Sequence, residues 1–274
     1  MRLFAPPGHF YSPVVDSGAV DAAELAARSN GPLHEIDMRY DEQLATMARL
    51  APHFADFPSA GKAGFAPRFF LPNDQFSRGD ALLLFAFIAE FRPHRIIEVG
   101  SGYSSAVILD TVEALDLSAE CTFIEPDPHR LKLILRDGDA ARVRIIEAPV
   151  QSVDLSVFEA LAAGDILFLD TSHVAKTGSD VLHEIFEILP RLKPGVIIHF
   201  HDIFIGFEYP APWVLDENRS WNEAYFLRAY LANNSKYAVE LHVNSLQPRF
   251  PAEFQALAPD YLVDGGSLWL RKAG

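Results

Sequence analysis

From Ser77 onward the apolar and polar positions follow two alternating patterns. Short, largely apolar runs recur at 95–100 (RIIEVG), 121–126 (CTFIEP), 143–149 (VRIIEAP), 165–170 (DILFLD) and 195–202 (GVIIHFHD). Between them lie stretches with apolar residues three and four apart. One at 78–91 leads into the first run, and others follow at 104–115, along HRLKLILRD, at 156–163 and along SDVLHEIFEILPRLK. Strands that are apolar throughout are buried on both faces, so this rhythm predicts a parallel sheet with helices on each side. Right-handed crossovers then give a doubly wound α/β fold. After the fifth run the rhythm loosens into a Pro-rich loop, a helix at 222–233, YAVELHV at 237–243 and GSLWLRK at 266–272. Seven strands are expected, the last antiparallel, because no crossover helix of ordinary length separates the final two.

Residues 1–76 read differently. Two short helical patterns, around 21–28 and 41–57, are separated by Gly- and Pro-containing loops and end in GKAGFAPRFFLPNDQ. Few of their apolar faces are long enough to bury one another. The expectation is a helical cap or lid, 1–76, on one domain spanning 77–274, with His9 and Tyr11 as candidates to close over a site. Composition narrows the partners. With 49% hydrophobic and 22% charged residues in 274, the chain has the balance of a soluble protein with a sizeable core. Its apolar runs are far shorter than the roughly 20 residues of a membrane span. The opening MRLFAPPGHFYSP lacks the apolar centre of a secretory signal, and the single cysteine, Cys121, suits a reducing cytoplasm. A formal charge of −14, with 23 scattered Lys and Arg, argues against nucleic acid as a partner. A small-molecule substrate is favoured, and a homo-oligomer stays open.

The first strand ends in EVGSGYSS, 98–105. Gly100 and Gly102 permit a sharp turn and close approach of a ligand to the backbone, with a helix N-terminus just behind. A dinucleotide turn would carry a third glycine where Ser105 stands. Glu98, just before the turn, would repel a pyrophosphate and suits a ligand with a cationic ammonium end. The second strand ends in FIEPD, and Glu125 at its tip is placed to accept both hydroxyls of a ribose.

With IIEVGSGYSS as a first motif and CTFIEPDP as a second, the chain resembles the class I S-adenosylmethionine-dependent methyltransferases over most of its length, 78–272. The resemblance implies a Rossmann-like sheet of seven strands. It places Gly100, Ser101 and Gly102 under the methionine moiety, Glu98 near the amino group and Glu125 on the ribose, with Tyr103 and Ser104 as further cofactor-binding candidates. It also makes Val150 and Gln151, after the third strand, candidates for the adenine contact.

The fourth and fifth strands end in LFLDTSHVAK and IIHFHDIF. Carboxyl ends of such strands share one crevice, so Asp170, His173, His201 and Asp202 should converge near the methyl donor. Oxygen and imidazole donors suit Mg²⁺, Mn²⁺, Fe²⁺ or Zn²⁺, and a bound cation would lower the pKa of a substrate hydroxyl. A histidine alongside could take its proton. Some O-methyltransferases of the class, acting on catechols or sugars, are similar here. Their metal-ligand aspartate falls on Asp170 and their second ligand pair on His201 and Asp202. The D-x-S-H segment of the sugar-modifying members matches DTSH at 170–173, which implies His173 as base. His201 departs from their oxygen ligand and leaves room for a softer metal, or none. His199 reads as a packing histidine, His183 as a surface or packing residue. The aromatic loop FEYPAPW, with Tyr209 and Trp213 for stacking, and RSWNEAYFL, with Asn222 and Glu223, would wall an acceptor pocket.

The leading expectation is S-adenosylmethionine-dependent O-methylation of a small hydroxylated acceptor, a sugar or secondary metabolite, with or without a divalent metal. Three alternatives share the fold: a nicotinamide-dependent oxidoreductase, a metal-dependent hydroxylase held by His173, His201 and Asp202, and a non-catalytic cofactor-binding scaffold.

Overall fold

The computed structural model describes residues 4–58 and 65–274. The first three residues of MRLFAPPGHFYSP and the first four of GKAGFAPRFFLPNDQ lie outside the described residues. Among the described residues seven strands form one sheet: β1 Arg95–Val99, β2 Glu120–Ile124, β3 Arg144–Ile146, β4 Ile166–Leu169, β5 Ile197–Phe200, β6 Tyr237–His242 and β7 Leu268–Lys272. Their order is β3-β2-β1-β4-β5-β7-β6. β1 to β5 are parallel, and β7 runs antiparallel to both β5 and β6. The chain winds outward from β1 to β3, then returns to lay β4 on the other side of β1. That reversal opens a crevice at the carboxyl ends of β1 and β4.

Helices α1 Ala22–Ser29, α2 Tyr40–Leu50, α3 Arg78–Phe91, α4 Tyr103–Ala114, α5 His129–Ile134, α6 Ser156–Glu159 and α7 Asp180–His183 occupy the expected intervals. α3 is buried from Gly79 to Ala89, and its N-cap Ser77 accepts a hydrogen bond from the Asp80 amide at 3.0 Å. Strand alternation divides the core. Ile97 and Val99 pack with Leu167, Leu169 and Ile198 on one face, while Ile96 packs with Phe123, Ile166 and Phe168 on the other.

Beyond β5 the sequence pattern misses elements. α8 Ala211–Leu215 stands where a Pro-rich loop is expected, because Pro212 falls in the first turn, where a helix needs no donor. α9 is Glu223–Leu231, and two further helices, α10 Val243–Arg249 and α11 Pro251–Leu257, link β6 to β7. Each is too short for its periodicity to register. No helix among the described residues is long and apolar enough to cross a membrane.

The N-terminal helices cover the outer sheet and not the crevice. In α2, Met47 and Leu50 are buried, Gln43 Oε1 accepts from the His242 amide at 2.8 Å, and Arg49 pairs with Glu240 at 3.2 Å. α1 packs on the turn at Gly206, where a Cβ would come 2.5 Å from the Ser29 carbonyl. His9 stacks on the exposed Phe10, with the Tyr11 ring tilted beside them, and neither His9 nor Tyr11 lines the crevice.

Behind α2 a strap returns to the site, and Arg68 clamps it down. Its guanidinium meets Asp110 at 2.9 Å, Glu113 at 2.8 Å and Asp139 at 2.7 Å, while the amides of Arg68 and Phe69 donate to Asp110. Arg68→Met would leave Asp110 and Asp139 buried without their cation, at a cost of about 3–5 kcal/mol in urea unfolding. Asp139 is held below the ordinary carboxylate range, chiefly by its hydrogen bonds to Arg68. Its contribution is therefore present above the ordinary carboxylate pKa and lost as pH falls through the lowered value. The stability gap between wild type and variant should narrow in acid.

Candidate active site

Two adjoining cavities open at the carboxyl ends of the strands. The larger, about 750 Å³, lies between the glycine turn, the strap Asn73–Ser77, the segment Asp170–His173 and the pair His201–Asp202. The smaller, about 450 Å³, is lined by Glu125, Val150, Gln151 and Lys176. Gly100, Glu125 and Asp170 border both.

The turn owes its shape to Gly100. Its φ is +83°, and a Cβ there would come 1.7 Å from the Asp170 carbonyl oxygen, so the ends of β1 and β4 touch at this point. Ser105, in the place of a third glycine, accepts from the Gly102 amide at 3.0 Å and donates to Glu98. Glu98 does not face the ligand side of the turn. Strand alternation turns its side chain under α4, away from the cavity wall. Burial pushes its carboxyl up to about 8 against the pull of the Ser104 and Ser105 hydroxyls. It braces the turn from beneath and is not a counter-charge exposed to a ligand.

Glu125 accepts from the Ser101 amide at 3.0 Å and from the Asp127 amide at 2.9 Å, which fixes a carboxylate where the cavities meet. Ser101 Oγ is buried at this border with no partner among the described residues. Tyr103 and Ser104 line the larger cavity at the N-terminus of α4, an end that favours a carboxylate. Gln151 lines the smaller one and donates to the Gly178 carbonyl at 2.8 Å. An elongated ligand with a polar head at the turn and a ribose at Glu125 fits these residues, as S-adenosylmethionine requires.

Asp170, His173, His201 and Asp202 do come together. His173 Nε2 lies 3.4 Å from Asp170 and 3.6 Å from Asp202, and its Nδ1 is 2.7 Å from Glu223. His201 Nε2 is 3.6 Å from Asp202. His173 and Asp202 both have φ of +56°, a left-handed backbone that costs energy for residues with a Cβ. Neighbouring backbone holds each in place. The His173 carbonyl accepts from the amides of Asn222 and Glu223, and the Ile203 amide donates to the Gly266 carbonyl.

Burial alone would lower the pKa of His173, but hydrogen bonds to Asp170 and Glu223 outweigh it and raise the value well above the usual histidine range. His201 is also raised despite burial, by the charges of Asp170 and Asp202. Asp202 is pushed up to about 6 by burial, which His201 and His173 only partly offset. The site is thus a set of carboxylates neutralised by imidazoles. His199 stands apart: its ring stacks on Phe168 at 4.1 Å, and burial holds it neutral.

The donors Asp170, His201 and Asp202 suit a divalent cation by type. Their placement is not that of a preformed metal centre, because among the described residues no group of three or more His, Cys, Asp or Glu is set to hold an ion. A cation would have to replace His173 as the counter-charge of both carboxylates.

On the acceptor side Tyr209, Asn222 and Glu223 do not line the cavity as expected, and other residues do. Tyr209 is buried, with its hydroxyl accepting from the Ala224 amide at 3.1 Å, and it does not line the cavity. Trp213 does line it, joined by Trp221 and by Arg219, whose guanidinium lies 4.1 and 4.5 Å from the two indole rings. Phe76, Asp80 and the loop Asp264–Gly266 complete the wall. These come from segments far apart in the chain, and no local pattern announces them. Arg219 and Trp221 had a signal, since both lie within RSWNEAYFL.

A methyltransferase-domain profile matches residues 97–203, which contain the second motif, all but Ile96 of the first, and all four residues of the imidazole–carboxylate set. An uncharacterized protein of Archaeoglobus fulgidus is 34% identical over 166 residues, 57% of this chain and 73% of that one. Among solved structures, the O-methyltransferase TomG of Streptomyces achromogenes, involved in tomaymycin synthesis and bound to S-adenosylmethionine, is similar with a TM-score of 0.49. It is 16% identical, over 94% of this chain and 99% of that one. The S-adenosylhomocysteine-bound methyltransferase PaMTH1 of Podospora anserina is similar with a TM-score of 0.48 and 18% identity, over 92% and 95%. With the matching domain and the turn built on Gly100, the chain belongs to the class I S-adenosylmethionine-dependent methyltransferases.

Proposed function

We propose that the protein methylates a hydroxyl oxygen of a small acceptor, a sugar or a secondary metabolite. The observation that carries this is His173 Nε2, held between Asp170 and Asp202 on the wall of the larger cavity, beside the glycine turn. S-adenosylmethionine supplies an electrophilic methyl group on a sulfonium. The turn Gly100–Ser104 and Glu125 hold that donor. Asp170 and His173 receive the acceptor hydroxyl, and the imidazole–carboxylate set takes its proton as the oxygen becomes methylated.

Asp80, Asp170, Asp202 and Asp264 on the wall disfavour an anionic acceptor, and Arg219 is already paired with Glu217 at 2.7 Å. Trp213 and Trp221 offer faces on which a sugar or aromatic ring can stack. Trp213→Ala should raise the acceptor KM about five-fold, for about 1 kcal/mol of stacking, and leave S-adenosylhomocysteine affinity unchanged. In this scheme residues 77–274 form the catalytic domain, and 1–76 a cap whose strap lines the site.

Divalent-metal assistance is a second reading, favoured by the meeting of Asp170, His201 and Asp202 donors at one crevice. These three would hold the ion, which would acidify the acceptor hydroxyl. The test is transfer of labelled methyl from S-adenosylmethionine to a panel of catechols and neutral sugars, with EDTA and with added Mg²⁺ or Mn²⁺. Transfer in EDTA supports the imidazole–carboxylate set acting alone. Transfer only with added ion assigns the metal. Donor binding with no transfer across the panel would favour the non-catalytic scaffold.

A further inference from the structure

Glu223 opens α9 and is buried, and among the described residues its side chain has one hydrogen-bond partner, His173 Nδ1 at 2.7 Å. The contact belongs to a wider clamp. The His173 carbonyl accepts from the amides of Asn222 at 3.0 Å and Glu223 at 3.1 Å. Asn222 Oδ1 accepts from the Ala175 amide at 2.6 Å, and its amide nitrogen donates back to the Ala175 carbonyl. Trp221 lies against the imidazole with ring centroids 4.4 Å apart. Tyr209 supports the same helix end through the Ala224 amide. A ring on a left-handed residue is thus fixed at its backbone, one face and one nitrogen.

We propose that Glu223 is a positioning residue for His173, holding the hydrogen on Nδ1 so that Nε2 is the nitrogen presented to Asp170, Asp202 and the acceptor oxygen. This rests on the methyl-transfer function proposed above. A carboxylate only accepts hydrogen bonds, so a contact of this length places the hydrogen on Nδ1. Without Glu223 the preference reverses. Nδ1 would face a buried, partnerless space, while Nε2 faces two carboxylates that attract a hydrogen. In the neutral ring Nε2 would then already carry a hydrogen and could not take the acceptor's proton.

The test uses the full chain labelled with ¹⁵N-histidine, as wild type, Glu223→Gln and Glu223→Leu. The His173 signal is identified by its loss in His173→Asn. Long-range ¹H–¹⁵N correlation in alkaline buffer, where the ring is neutral, reads the tautomer. Nδ1–H is expected in wild type and in Glu223→Gln, whose carbonyl still accepts, and Nε2–H in Glu223→Leu. A wild-type ring carrying Nε2–H overturns the proposal, even if Glu223→Leu does not fold. Nδ1–H persisting in a folded Glu223→Leu does so too. S-adenosylhomocysteine titrated into the same samples keeps the two ideas apart. A wild type that fails to bind it sinks the methyl-transfer function and leaves the tautomer result standing.

Discussion

His173→Asn should slow methyl transfer by roughly 10²–10⁴-fold, the usual contribution of a positioned acid or base, while S-adenosylhomocysteine binds as in wild type. Asparagine is the right replacement because position 173 has a left-handed backbone, φ +56°, which asparagine tolerates better than alanine does. The loss then reports on the imidazole and not on the loop. Nε2 is within ion-pair range of Asp170 and Asp202, both on the cavity wall, and nothing in the turn that would hold the donor depends on the ring. A variant that keeps its rate would move the proton acceptor elsewhere in the crevice. One that loses donor affinity would show that the ring serves the cofactor side.

Gly100→Ala should destabilise the fold by about 3 kcal/mol or more in urea unfolding, near the upper range for single substitutions. Two effects add. The φ of +83° disfavours any Cβ, and the new carbon would overlap the Asp170 backbone carbonyl at 1.7 Å, forcing β1 and β4 apart. Gly138 and Gly164 separate these effects. Their φ values are +92° and +87°, but a Cβ at either would meet nothing within 4 Å. Alanine there should cost only about 1 kcal/mol, the conformational part alone. Equal losses at all three positions would mean that the strand ends can part freely, and that Gly100 is not what joins the two halves of the crevice.

Continuous apolar runs and apolar spacings of three and four made the parallel strands and their helices legible, because those signals are local. So were the two motifs and the four polar residues at the ends of β4 and β5. The direction of Glu98 was not, since a strand buried on both faces gives no sign of which face a polar residue takes. Tyr209 and Trp213 sit in one aromatic run, and only the fold turns the first inward and the second to the cavity. Glu223 reaches His173 across 50 positions, and Ser267 reaches Asp80 across 187. Such pairings arise from tertiary closure and leave no trace in spacing.

The crevice between Gly100, Glu125 and Asp170 is expected to hold S-adenosylmethionine. Calorimetric titration of S-adenosylhomocysteine into wild type and Glu125→Ala measures this occupancy. The predicted result is one ligand per chain with a Kd below ~100 µM, about −5.5 kcal/mol or better. Glu125→Ala should weaken that by roughly ten-fold or more, for the loss of charge-assisted hydrogen bonds. No binding heat at millimolar ligand, or equal affinity in the two proteins, would contradict it.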